Sequence, residues 1–366
     1  MRNRALLGGS IIVILIGIIV IAWAVKSNDS NTNINHNNII QVPTDVVETT
    51  EEATQNEDKS VSIDGKQMNP LTGLYVDDVI SERRPIVVML DNQYSARPQA
   101  GLDQADVIYE ILAEGLITRY MAVFYGQYPE SIGPVRSARP YFIEKAAEFN
   151  PYYVHVGGSM QALSDIKKIG IADIDGLTSG AFWRLNHKKA PHNMYTSSEA
   201  LANEGKRLGY DAQPDFDFLN FYDDFTVIDG DAAGEITFIY KEPVAGDAIG
   251  YYTSYKYNDE EKVYYRYTNG EPHLDETSGA HLTCTNILVQ YAKTKVLDSE
   301  GRLDVDLVTE GEGKYYTAGK GIKVTWKKSD INSSTRFYDE KGQEISLNPG
   351  VTWFQIVKLN NVETIK

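Results

Sequence analysis

Twenty-one consecutive uncharged residues, Ala5 to Val25 (ALLGGSIIVILIGIIVIAWAV), constrain this chain more than any other stretch. Rich in Ile, Val and Leu, they are long enough to cross a hydrocarbon core of about 30 Å as a helix. Arg2 and Arg4 precede the run and only Lys26 follows at once. That charge bias keeps the N-terminus in the cytoplasm and sends the remainder across the membrane. A cleaved signal peptide is the competing reading, because Ala22-Trp23-Ala24 imitates a small-x-small cleavage site. The length of the run favours an uncleaved, single-pass anchor. The lone Cys284 lies far downstream, so a lipid anchor is not expected.

Beyond residues 1–26, taken as cytoplasmic stub and membrane anchor, residues 27–65 are mostly Asn, Thr, Ser, Asp and Glu without sustained periodicity. Such a stretch buries too little apolar surface to offset its ordering entropy and reads as a disordered stalk. About 300 residues remain for folded structure, enough for two ordinary cores. The formal charge of −16 argues against nonspecific nucleic-acid binding. A single cysteine excludes an internal disulfide framework and Cys-based zinc, and no cofactor motif is present.

Ile86-Val87-Val88-Met89-Leu90, ending at Asp91-Asn92, reads as a buried strand, with further strands at 107–112 and 120–124. A helix is expected from Ser137, as N-cap, to about Phe149. A strand at 152–156 and a helix at 160–168 follow. Thr196-Ser197-Ser198-Glu199 has the capping-box pattern and opens a helix to about Leu208. Strands alternating with helices predict a layered α/β domain over 66–225. After Phe225 the period changes to 2, with a hairpin turning at Asn258-Asp259-Glu260-Glu261 and later strands at 286–291, 322–326, 344–347 and 352–357. The expected class is α+β, with 226–366 a smaller β-rich domain having its own core.

Charge is unevenly spread. Residues 119–192 hold nine Lys and Arg against six Asp and Glu, a surplus of three positive charges in a strongly acidic chain. This reversal coincides with three presumptive helix starts, at 136–139, at 157–159 and before 194, where free amides favour anions. The candidate ligand-binding residues are Asp91, Arg119, Arg136, Ser137, Arg139, His192 and Asn193. The bland alternative has Arg136 and Arg139 paired with Asp91, Asp106 or Glu110, and His192-Asn193 tying down a loop. A hydrolase reading would use Ser159 with His155, His187 or His192, but Gly157-Gly158-Ser159-Met160-Gln161 lacks the last glycine of a nucleophile elbow. The same histidines have no metal-ligand spacing. Asp173-Ile174-Asp175-Gly176 begins like a calcium loop without its terminal Glu. Seven tyrosines between 251 and 267 suit either a carbohydrate-stacking face or the two faces of a hairpin.

The chain resembles the YerB-like envelope proteins of Gram-positive bacteria, a family that includes lipoproteins and has no assigned activity. The resemblance is carried by Asn69-Pro70-Leu71-Thr72-Gly73, Arg84-Pro85 to Asp91-Asn92, Gly133 to Arg139 (GPVRSAR) and His192-Asn193-Met194-Tyr195. It continues through Gly270 to His273, Asn286 to Val289, Trp326 and Leu347 to Ile356 (LNPGVTWFQI). It implies an N-terminal α/β domain and a smaller β-rich companion, both extracytoplasmic. The expected role is noncatalytic binding of an anionic cell-wall polymer, peptidoglycan or an envelope protein. The alternative is an envelope hydrolase or phosphotransferase acting on a phosphodiester or glycan.

Overall fold

The computed structural model describes residues 62–63, 66–77, 83–210, 216–242 and 250–366. The apolar run 5–25 and nearly all of the expected stalk lie outside them. Among the described residues no helix is long and apolar enough to cross a membrane.

A strand such as Ile86-Val87-Val88-Met89-Leu90, without polar alternation, is stable only where both faces of its sheet are covered. Strands β1 (Ile86–Asp91), β2 (Val107–Leu112) and β3 (Thr118–Phe124) are buried along their whole lengths. Then come α1 (Pro140–Ala146), β4 (Tyr152–His155), α2 (Met160–Ile169), β5 (Ala172–Asp175) and α3 (Ser198–Arg207). The second half contributes β6 (Glu235–Lys241), β7 (Tyr251–Asn258), β8 (Val263–Thr268) and β9 (Asn286–Ala292). It ends with β10 (Glu310–Thr317), β11 (Lys320–Lys327), β12 (Thr352–Lys358) and β13 (Val362–Ile365). Val87, Met89 and Tyr109 face one core with Phe142 of α1 and Ile166 of α2. Val88, Leu90 and Ile108 face another with Leu201 of α3, Phe238 and Tyr255.

Among the described residues, eleven strands form one sheet, in the order Asp231–Ala232, β11, β10, β9, β12, β2, β3, β1, β4, β5, with Arg336–Tyr338 on β11. A six-stranded sheet covers part of one face: Glu271–Pro272, β8, β7, β6, β13, with Thr283–Cys284 on β8. The change of texture near residue 225 therefore does not separate two cores, and all described residues belong to one compact unit. β12 explains the departure. Its Trp353 packs into one core and its Phe354 into the other, so only a central place between β9 and β2 buries both faces. The layered α/β expectation is corrected as well. Among the described residues the fold is mostly β, with α-helices of seven, ten and ten residues.

Strand direction matters most for the site. β1, β2, β4, β5, β9 and β12 all run parallel, with β3 antiparallel between β1 and β2. Their carboxyl ends share one edge, which is where open α/β sheets present loops to ligands.

Candidate functional site

At that edge β1 ends on Asp91, opposite Arg119 at the start of β3. Cross-strand partners project to the same face. Segment 132–138 runs alongside, with Arg136 N donating to Met89 O (2.8 Å) and Val135 N to Met194 O (2.7 Å). Three chain segments thus deliver Asp91, Arg136 and His192 to one place. His192 Nδ1 lies 2.6 Å from Asp91 Oδ2, and Arg136 Nε lies 3.0 Å from the same oxygen.

The three arginines differ in how far they are occupied. Arg119 donates to Ser137 O (2.7 Å) and to Glu114 Oε2 (3.3 Å). Arg139 donates to the other Glu114 oxygen and to Ala138 O (2.7 Å). Glu114, on the turn between β2 and β3, is the shared counter-ion. Burial would raise its pKa, but the hydrogen bond from Arg139 and the charges of Arg119 and Arg139 hold it below the usual carboxylate range. Burial, and then repulsion from Arg139, pull Arg119 down to about 10; Glu114 opposes this and Arg136 adds to it. Arg136 is the exception. Its ion pair with Asp91 lacks hydrogen-bond geometry at Nε, and its guanidinium makes no hydrogen bond among the described residues. A quarter of its side chain is exposed. His192 Nε2 likewise has no hydrogen bond among the described residues.

Several expectations change. Ser137 is not a helix cap: α1 begins at Pro140 behind Arg139, and the Ser137 hydroxyl makes no hydrogen bond among the described residues. Pro140 fits N1 because it has no N–H to satisfy there, so the helix starts later than the Ser137 pattern suggests. Residues 185–193 are a loop between the short paired strands Trp183–Arg184 and Met194–Tyr195, and α3 is capped by Ser197 through Ala200 N (3.1 Å). Asn193 braces that loop, accepting from Arg184 Nη1 (2.6 Å) and donating to Leu185 O (3.0 Å). Asp91 does hold Arg136, whereas Asp106 accepts from Asn69 and the amides of Tyr125 and Gly126, and Glu110 holds Arg266. Ser159 is occupied as the cap of α2. His155, His187 and His192 face different carboxylates, Asp173, Glu276 and Asp91. Among the described residues no cluster of three metal-binding side chains occurs.

Two supports were not singled out from sequence. Glu114 is one; its only local signal is a Glu-Gly turn between two predicted strands. The other is Glu276, reaching from the second half to Lys188 Nζ and His187 Nε2 (2.7 Å each) and to the Tyr195 hydroxyl. It steadies the loop that carries His192. Behind Asp91, Gln99 donates to its backbone carbonyl (2.8 Å) and meets His273 Nε2 (2.8 Å), which connects the site to the buried Arg266–Glu110 pair.

Residues 71–211 match the N-terminal domain, and residues 246–354 the C-terminal domain, of the family described as "Protein of unknown function (DUF3048)". The chain is 35% identical over 292 residues to "Putative lipoprotein YerB" of Bacillus subtilis (strain 168), covering 79% of this chain and 85% of that protein. This chain belongs to the DUF3048 family. The crystal structure of the YerB protein from Bacillus subtilis matches with a TM-score of 0.74 at 32% identity, over 82% of this chain and all of that one. Asp91, Glu114, Arg136 and His192 all lie within the segment matched to the family's N-terminal domain, while the brace Glu276 comes from the segment matched to its C-terminal domain. Segments matched to both family domains therefore meet around the His192 loop.

Proposed function

We propose that the protein is a membrane-associated cell-envelope protein that binds an anionic group of an envelope ligand at Arg136. The single observation that carries the reading is a guanidinium that is ion-paired to Asp91 but makes no hydrogen bond among the described residues. Arg119 and Arg139 spend hydrogen bonds on Glu114 and on carbonyls, while Arg136 keeps forked donors suited to phosphate or carboxylate beside the open Nε2 of His192. The apolar run 5–25 and the lipoprotein name of the Bacillus subtilis relative support an envelope location. Calorimetric titration of residues 62–366 with wall teichoic acid and muropeptide fractions tests it. Arg136→Ala is expected to weaken binding by about 1–3 kcal/mol while leaving a folded protein, because Asp91 keeps His192 and the Gln93 amide as partners once Arg136 is gone. Unchanged titrations with both fractions would overturn the reading.

A second reading has its own observation. Asp91 holds His192 through Nδ1 and leaves Nε2 open, the arrangement by which a carboxylate orients an imidazole for proton transfer. In that case Arg136 neutralises a phosphodiester as charge develops. Turnover of a phosphodiester or glycan, lost in both His192→Ala and Asp91→Asn, is the expected result. Turnover that survives both changes would exclude this dyad.

A further inference from the structure

The carboxyl edge carries a second feature that anion binding does not use. Its loops end in exposed apolar side chains. Tyr94 follows β1, Leu116 sits on the turn between β2 and β3, Met160 opens α2 after β4, Leu177 follows β5, and Val296 and Leu297 follow β9. Met160 is 85% exposed and Tyr94 69%. These positions belong to one end of the molecule. Val88 pairs with Val154 and Val154 with Ile174, which sets the carboxyl ends of β1, β4 and β5 side by side. A Cβ at Gly157 would meet Leu177 Cδ1 at 3.0 Å. On the other side, a Cβ at Gly301, in the hairpin after β9, would lie 4.0 Å from Gly115 N beside Leu116.

Apolar residues borne singly on separate loop tips differ from the packed, contiguous centre of a protein interface. They suit a lipid surface, where each tip enters the interfacial layer and nearby cations meet phosphates. Burying such tips recovers hydrophobic free energy without any matching partner shape. In a chain of −16, an acidic membrane repels most of the surface, so contact needs a local cation free of hydrogen bonds, which Arg136 offers at this end. The tether also permits it, since the 35 residues from Ser27 to Val61 separate the apolar run and Lys26 from the first described strand at Ser62. Extended, that length reaches on the order of 100 Å.

We infer that this end of the sheet docks on a membrane containing anionic phospholipid, with Arg136 taking a headgroup phosphate and the apolar loop tips entering the interface. The phosphate contact rests on the anion reading of Arg136; the apolar tips stand apart from it. The test is flotation of residues 62–366 with vesicles of phosphatidylglycerol and phosphatidylethanolamine, which avoids the apolar run 5–25. That part holds both described cores, and the crystallised relative is matched over its whole length by 82% of this chain. The expected result is binding that falls at least tenfold in Met160→Ser/Leu177→Ser, with titration of soluble teichoic acid unchanged in that variant. Arg136→Ala should lose both. Absence of flotation with these vesicles, or equal flotation of the serine variant, would overturn the docking. Teichoic acid binding without vesicle binding would sink it while leaving the anion reading intact.

Discussion

Arg266→Ala is expected to lower the unfolding free energy by about 3–5 kcal/mol, because it strands a buried carboxylate. Arg266 and Glu110 are both fully buried, 2.7 Å apart, between the main sheet and the six-stranded sheet. The guanidinium lies against the rings of Trp353 (4.2 Å), Tyr120 (5.2 Å) and Tyr255 (5.8 Å) and donates to Thr268 and Thr253. Without it, Glu110 keeps the neutral donors of Thr118 (2.7 Å) and Gln355 (2.9 Å) but no counter-charge. Urea unfolding of residues 62–366 measures the loss. Replacing both partners, Arg266→Met with Glu110→Gln, should cost less than the single change, since no charge is left behind. A single-variant loss under 1 kcal/mol would mean that water reaches Glu110. The same network gives an acid limit. His273 Nδ1 faces an arginine that can only donate, so Nε2 carries the proton toward Gln99 Oε1. Burial first, then Arg266, push its pKa well below the ordinary imidazole value. Its stabilisation is whole above the unfolded value near 6.5 and drains away as pH falls toward the folded value, by up to about 1.4 kcal/mol per unit. Stability should already decline between about pH 6.5 and 5, before ordinary carboxylates titrate.

Glu148→Gln should cost a comparable amount, about 3–5 kcal/mol near pH 7, because one carboxylate serves two buried ammonium groups. Lys145 Nζ is 3.1 Å and Lys328 Nζ 3.2 Å from Glu148 Oε1, and both lysine side chains are fully buried. Thr335 supplies a hydroxyl and an amide to the same carboxylate. The cluster joins the 3-10 turn after α1 to the loop after β11, and so pins the two sequence halves together. Its pH dependence separates it from the Arg266 site. Burial brings Lys145 down to about 8, with Glu148 opposing. A lysine whose folded value is depressed contributes fully only above its unfolded value near 10.4 and loses that contribution as pH falls toward 8. Removing Glu148 lowers the folded value further, so the variant's stability should climb with pH from below 8 and regain part of its deficit by pH 10. Above about pH 10 the buried tyrosines work the other way, since burial raises them above their unfolded values. A deficit that stays constant from pH 7 to 10 would overturn this account of Lys145.

Local sequence determined the elements and most of the candidate residues. Apolar runs and period-2 alternation place β1, β2, β9 and β12 within a residue or two of the observed ends, because side-chain periodicity reports which faces a strand must bury. The turn at Asn258 also formed as read, its side chain accepting from the amides of Glu260 (2.9 Å) and Glu261 (3.1 Å). Arg136 and His192 were legible within a local excess of positive charge among turn residues, and Asp91 as the end of an apolar run. Which carboxylate each arginine meets was not. Glu114 reaches Arg139 across 25 residues, and Gln355 reaches Glu110 across 245. Periodicity carries no term for such separations, and any of several acidic residues satisfied the pairing rule equally. The tertiary structure decided that β12 enters beside β2, which fused two expected cores into one sheet and aligned the parallel strands. That alignment gathers Asp91, Glu114, Arg136 and the apolar loop tips at one edge. The physical reason is that a strand with two apolar faces finds full burial only inside a covered sheet, and the neighbour it finds there is fixed by the packing of the whole molecule rather than by its own sequence.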